Sequence, residues 1–253
     1  MTEAHRHIFP YVIALGDDAL VLGHRLSQWS SRAPTLEEDI ALSNLALDLI
    51  GQARLFYTLA GKLEGEGRSE DDLAYFRDAA AFSNTLMVEL PNGDFAHTMV
   101  RQLLYAAFTH PYFEALATSR HPGLAEIAAK AVKEMAYHVR HAAEWVIRLG
   151  DGTDESRQRT VAALDTLWPY VGELFEMDAA EQELARASIA PDREQLRPIW
   201  NATIDRVLGE AGLDRPERPP TGPTGGRAGK HVHLAEMLAD MQSFARAHPG
   251  AAW

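Results

Sequence analysis

At 253 residues, with 46% hydrophobic and 24% charged residues, the chain has the make-up of a soluble globular protein with a substantial core, which excludes disordered, collagen-like and coiled-coil classes. Its formal charge of -12 excludes a general nucleic-acid binder, which needs a Lys/Arg stripe to neutralise phosphates. The absence of cysteine excludes disulfides, iron-sulfur ligation and a thiol nucleophile. The start, MTEAHRHIFPYVIALGDD, lacks a cationic region followed by a clean apolar run and a small-residue cleavage site, so a cytoplasmic location is expected. From Tyr11 to about Ser30, apolar residues recur at helical intervals, and SSRAPTLEED then gives a break. Thr35 followed by Glu38 is a capping-box pattern that starts a second helix running to about Ala60. Its apolar stretch from residue 40 to 61 carries Asn44, Asp48, Gln52 and Arg54, so it reads as a buried core helix and not a membrane span.

GKLEGEGRSEDD is a polar loop, and Ser69 or Asp71 caps a third helix through AYFRDAAAFSNTLMVE. LPNGD breaks it, and Asp94 caps a fourth helix in which Pro111 predicts a kink. The fifth runs from about Pro122 to Leu149 and is expected to end on Gly150 as a C-terminal cap. A sixth, SRQRTVAALDTLWPYVGELFE, is interrupted near Pro169, and a shorter helical piece follows around PDREQLRPIWNATIDRVLGEAG. The Pro/Gly-rich arm at about 215–233 precedes a last helix, LAEMLADMQSFARAH. Long helices on short turns predict an all-α fold in one domain over 1–253. The four helices between about 35 and 149 would form an antiparallel bundle, with the first and sixth packed outside.

Polar residues on the inner faces of such a bundle need a reason. Asn44, Asp48 and Gln52 form one stripe on the second helix. His97, Arg101, Tyr105 and Thr109 repeat that spacing on the fourth, Glu134, His138 and His141 lie on the fifth, and the third contributes Arg77 and Asp78. Ferritin-like di-metal proteins need a Glu on each of two helices and a Glu-x-x-His pair on each of the other two. Here the residue three beyond Glu134 is Tyr137, with His138 one place too far, and the residue three before His141 is His138. Asp78 has no histidine near it but has Arg77 beside it, and the fourth helix has no acid between Asp94 and Glu114. The expectation is therefore no bound metal, with the buried acids neutralised by Arg101, Lys130 or Lys133 and by hydroxyls. His231-Val-His233 is weak as a metal pair, and TGGRAGK only loosely resembles a phosphate cradle, with no preceding strand and no Ser/Thr after the lysine. Trp145, Trp168, Trp200 and Trp253 are equally readable as interface anchors or as core.

The stretches LGDDALVLGHRLSQW, LALDLIGQARLFY, VELPNGDFAHT, AAKAVKEMAYHVRHAAEWVIRLGDGT and TGGRAGKHVHLAEMLADMQ together resemble the C-subunit family of bacterial phenylacetyl-CoA epoxidases, also called phenylacetate-CoA oxygenases, nearly end to end. The resemblance implies a ferritin-like antiparallel four-helix bundle with flanking helices, and a structural, non-catalytic role without catalytic residues or cofactor of its own. It implies pairing with a related A subunit that carries a di-iron centre, alongside a B subunit and a reductase with flavin and an iron-sulfur cluster. That complex epoxidises the ring of phenylacetyl-CoA with dioxygen and NADPH electrons, without nucleic acid or membrane. The positions matching a degenerate metal pocket are Asp48, Asp78, Glu134 and His138, with Arg101 as counter-charge. Without the A subunit, an apolar pairing face would let the chain form homodimers. The alternatives are an independent ferritin-like di-metal oxidase or oxygenase with an unusual ligand set including Glu134 and His138, and a free-standing helical binding module.

Overall fold

The computed structural model describes residues 3–219, 227 and 232–251. In chain order the helices are α1 (Glu3–Ser27), α2 (Leu36–Glu64), α3 (Glu70–Tyr75), α4 (Leu86–Glu89), α5 (Phe95–Leu116), α6 (Pro122–Gly150), α7 (Asp154–Leu167), α8 (Ala179–Arg186), α9 (Arg197–Glu210) and α10 (Leu234–Ala247). Turns of 3-10 helix cover Ala79–Ala81, Trp168–Phe175 and Glu194–Leu196, and no strand occurs among the described residues. The chain divides into two compact units, Met1–Pro91 with Arg227–Trp253, and Asn92–Gly226.

The first unit is built on α1 and α2. Thr35 accepts a hydrogen bond from the Glu38 N–H, and Glu37, Glu38 and Asp39 place negative charge on the positive end of α2. Gly65 ends that helix in the left-handed region at φ 75°, its N–H donating to the Gly61 carbonyl. The pair is antiparallel: Gly16 lies against Tyr57, whereas Gly23 lies against Ala46, Leu49 and Ile50. α1 starts well before the expected Tyr11 and contains Pro10, because Ile8, Tyr11, Val12 and Leu15 are all buried and their packing outweighs the lost backbone donor.

Two expectations are corrected here. The first helix is not an outer layer but half of this central pair. The third helix, expected to run continuously to Glu89, breaks after Tyr75. The reason is a competition for backbone donors: the Ser83 and Thr85 N–H groups bond the carboxylates of Asp17 and Asp18 on α1, at 2.8 and 2.7 Å, in place of carbonyls four residues back. α10 completes the ends this break creates. Gln242 donates to the Ala74 and Arg77 carbonyls, and Arg246 to those of Tyr75 and Arg77.

The second unit is built on α5 and α6, also antiparallel, since Phe95 meets Trp145 edge-on at 4.9 Å and Gln102 meets His138. Asp94 caps α5 by accepting from the His97 N–H at 2.8 Å. α5 is buried on nearly all sides and passes through Pro111, while α6 buries one face. α6 ends at Gly150 as expected, but its cap is Asp151, and Gly150 has no positive φ and is the helix's last residue. A Cβ there would stand 2.8 Å from the Cβ and carbonyl oxygen of Ala211, so close packing requires the glycine. α9 buries Trp200, whose Nε1–H donates to the Leu104 carbonyl of α5 at 3.0 Å, with the Trp168 and Phe175 rings around it. Both tryptophans are core, Trp145 is half-buried, and Trp253 lies outside the described residues. α8, which the sequence reading missed, is capped by Asp178.

Candidate functional site

The most charged buried region of the first unit grows from Gly16-Asp17-Asp18 on α1. Asp17 is fully buried and accepts from the Tyr57 hydroxyl, from both terminal nitrogens of Arg77 and from the Ser83 N–H. Burial opposes the charge of Arg77, but Asp17 beside it more than compensates and holds the guanidinium pKa above its ordinary value. The same guanidinium donates to the Leu73 and Ala81 carbonyls and lies 4.1 Å over the Phe82 ring. Asp18 accepts from the N–H and hydroxyl of Thr85 and from Arg227. Arg227 also donates to the Ala14 and Ser83 carbonyls at 3.2 and 2.7 Å.

A second set of contacts adjoins this one. The Arg25 guanidinium donates twice to the Glu89 carbonyl, while the buried Glu89 carboxylate accepts from Asn84 Nδ2 at 3.1 Å and the His233 N–H at 3.2 Å. Burial lowers the pKa of Arg25 despite the nearby carboxylates of Glu89 and Glu236. Among the described residues, hydroxyls, guanidinium groups and backbone N–H groups donate to both oxygens of Asp17 and of Asp18, which makes these carboxylates structural anchors.

In the second unit Gln102 and His138 are both fully buried and meet at 2.9 Å through Nε2 and Nδ1. With the amide in that orientation Gln102 Oε1 has no hydrogen-bond partner among the described residues; turned over, it would accept from a protonated Nδ1. Arg101 is fully buried one position before Gln102 and donates to Asn92 Oδ1. His141 is buried on the face that carries His138, and Glu134 is half-buried one turn earlier. His97, four residues before Arg101, has its pKa lowered by burial and then by the Arg101 charge. Clefts of about 270 Å³, lined by Asp94, Ser156 and Arg159, and about 560 Å³, lined by Phe175, Gln182 and Asp192, do not include Gln102 or His138.

The proposed pocket residues are therefore placed very differently. Arg101 and His138 are deep in the second unit, Glu134 is on the same face of α6 as His138, and Asp48 is half-buried on α2 of the first unit beside Gln52. Asp78 sits in the break after α3 with its side chain 83% exposed, paired with Arg246 at 3.0 Å. Among the described residues no three carboxylate or imidazole groups converge as a metal-binding cluster. His231 and most of TGGRAGK lie outside the described residues; within that motif Arg227 is turned inward to Asp18. Asp17, Asp18, Tyr57 and Glu89 were missed by sequence reading. Their signal was Asp17-Asp18 set between Ala14-Leu15 and Ala19-Leu20, adjacent acids in an apolar run that cannot both reach solvent.

The family model for phenylacetic acid catabolic proteins matches residues 1–253. The chain belongs to that family. It is also 46% identical over 244 residues, covering 96% of this chain and 98% of the relative, to the C subunit of 1,2-phenylacetyl-CoA epoxidase from Escherichia coli (strain K12). Family membership bears out the resemblance drawn from LGDDALVLGHRLSQW and the other stretches, and with it the all-α, ferritin-like helical class. The motif LGDDALVLGH, which carried part of that resemblance, is the segment of α1 on which the buried network of the first unit is built. Among the described residues no helix is long and apolar enough to cross a membrane.

Proposed function

We propose that this chain is the structural, non-catalytic subunit of a cytoplasmic phenylacetyl-CoA epoxidase, pairing with and stabilising a related A subunit that carries the di-iron centre. A B subunit and a reductase with flavin and an iron-sulfur cluster complete the assembly. The observation that carries this reading is the Gln102–His138 pair with Arg101 beside it, in a chain of this family. Where a ferritin-like di-metal protein places carboxylates and histidines on facing helices, α5 here places an amide and a guanidinium, and the amide occupies one imidazole nitrogen. Arg101, Glu134 and His138 are then the relic of a metal pocket, and the exposed Asp78 has no part in it.

The test is co-expression with the A subunit, followed by size-exclusion chromatography and metal analysis of each chain. The expected result is one co-eluting species whose iron follows the A subunit, with this chain retaining far less than one equivalent after refolding with Fe(II) and Mn(II). Near-stoichiometric metal on this chain alone, lost in His138→Ala, would replace the reading with an independent di-metal oxidase. Failure to co-elute with the A subunit would leave a free-standing helical module.

A further inference from the structure

Asn92-Gly93 is the only Asn-Gly pair in the sequence. Such a pair is prone to cyclic imide formation, because glycine has no side chain to keep its backbone nitrogen away from the asparagine amide. It lies at the start of the second unit, in the turn that leads to the Asp94 cap of α5. Asn92 is half-buried, and Gly93 is exposed with φ at 60°. The Gly93 N–H makes no hydrogen bond among the described residues, so nothing there holds its nitrogen back. On the other side of the pair Arg101, fully buried on α5, donates from a terminal nitrogen to Asn92 Oδ1 at 2.5 Å. A buried guanidinium thus bonds a neutral amide oxygen where a carboxylate would be its stronger partner.

We infer that Asn92 is a self-modifying site, converted to aspartate through a cyclic imide with Gly93, and that Arg101 steers the product to aspartate and away from isoaspartate. In the first step the Gly93 nitrogen gives up its proton through water and attacks Asn92 Cγ. The Cγ–Nδ2 bond breaks, the proton ends on the departing nitrogen, and ammonia leaves. Negative charge develops on Oδ1 during that attack, where the guanidinium already stands as a donor to an oxyanion. Water then opens the ring. Attack at Cγ breaks its bond to the Gly93 nitrogen and leaves an ordinary aspartate, whereas attack at the backbone carbonyl carbon of residue 92 leaves isoaspartate. In either case one water proton restores the N–H and the other is lost as the new acid ionises. The Asn92 backbone carbonyl also has a donor, the Thr98 hydroxyl at 2.9 Å. A charged donor is roughly twice as strong as a neutral one, so Cγ is the more electrophilic carbon and its carboxylate remains on Arg101. This modification does not depend on the chain serving an epoxidase.

The full chain, freshly purified and incubated folded at mildly alkaline pH, should gain the mass of one deamidation in the peptide that holds position 92. Asn44, Asn84 and Asn201, followed by Leu45, Thr85 and Ala202, should keep their amides over the same time. Labelling with an isoaspartyl methyltransferase should show aspartate outweighing isoaspartate at position 92. The same chain held unfolded in urea, where Arg101 no longer meets the amide, should give mostly isoaspartate, as free peptides do. Arg101→Met, at an unchanged helical spectrum, should slow the folded reaction by about tenfold or more. If that variant fails to fold, the folded and unfolded wild-type chains still decide through their product ratios. An amide that persists in the folded chain while the unfolded chain converts would show that the Arg101 bond protects Asn92, and it overturns the inference. So does a product ratio that is the same folded and unfolded, or a folded Arg101→Met that reacts as fast as wild type.

Discussion

The Tyr57 hydroxyl donates to Asp17 at 2.5 Å while its ring lies against Gly16, where a Cβ would stand 2.6 Å from Cε1. One residue of α2 thus reads two consecutive residues of α1, and the contact sets the register of the pair. Gly16→Ala should destabilise the protein by about 1–3 kcal/mol, the usual cost of forcing extra volume into a packed site. In a Tyr57→Ala background, where the ring is gone, the same change should cost a small fraction of that. Urea denaturation of the four proteins gives the comparison, and equal costs in both backgrounds would contradict a clash with the ring.

Burial and the neighbouring Asp17 carboxylate hold the Tyr57 pKa well above the ordinary 10.0, with Arg77 pulling the other way. The sign of the pH effect follows from proton counts. In the unfolded chain the phenol ionises near pH 10, but in the folded chain it keeps its proton, so above about pH 10 the unfolded state binds fewer protons and stability falls as pH rises. Tyr57→Phe lacks this loss. Its deficit of about 1 kcal/mol at pH 8, from the missing hydroxyl bond, should shrink between about pH 10 and 11; a constant difference would show that Tyr57 ionises as readily folded as unfolded.

Helix ends were legible because their chemistry is local: Thr35, Ser69 and Asp94 cap where their side-chain oxygens were expected to. The break after Tyr75 was not, because AYFRDAAAFSNTLMVE has good helical periodicity and the groups that undo it, Asp17 and Asp18, lie more than sixty residues earlier. The candidate site divides in the same way. Spacing alone showed that Glu134 and His138 miss the di-metal pattern. It could not show that Gln102, unremarkable between Arg101 and Leu103, is the partner of His138, nor that Asp78 turns to solvent, since both depend on how distant segments pack.

His97 joins two effects that can be separated. Its pKa is lowered first by burial and second by the Arg101 charge. Below about pH 6.5 the unfolded chain takes up a proton that folded His97 refuses, so this group contributes stability above that pH and loses it as pH falls toward its folded pKa. Arg101→Met removes the like charge but not the burial. An NMR titration of His97 should therefore show its midpoint move up in the variant yet stay below the ordinary value of 6.5. No movement would mean that the Arg101 charge is not felt at the imidazole.

Arg227 is held at three points, Asp18 and the carbonyls of Ala14 and Ser83, and it joins the C-terminal segment of the first unit to α1 and to the stretch between α3 and α4. Asp18 is almost fully buried, whereas the Arg227 side chain is 22% exposed. Removing the cation strands a buried carboxylate with Thr85 as its remaining donor among these contacts. The cost of Arg227→Met should accordingly be about 2–3 kcal/mol, below the ~3–5 kcal/mol of a fully buried pair because water reaches one side. Arg227→Lys should recover less than half of that, since one ammonium on a flexible stem cannot span a carboxylate and two carbonyls that a planar fork reaches together. Adding Asp18→Asn to Arg227→Met should cost little more than Arg227→Met alone, because the stranded charge is removed with it. Thermal denaturation of these three variants and of Asp18→Asn alone against wild type measures all of this, and additive losses in the double variant would show that Asp18 and Arg227 are not coupled.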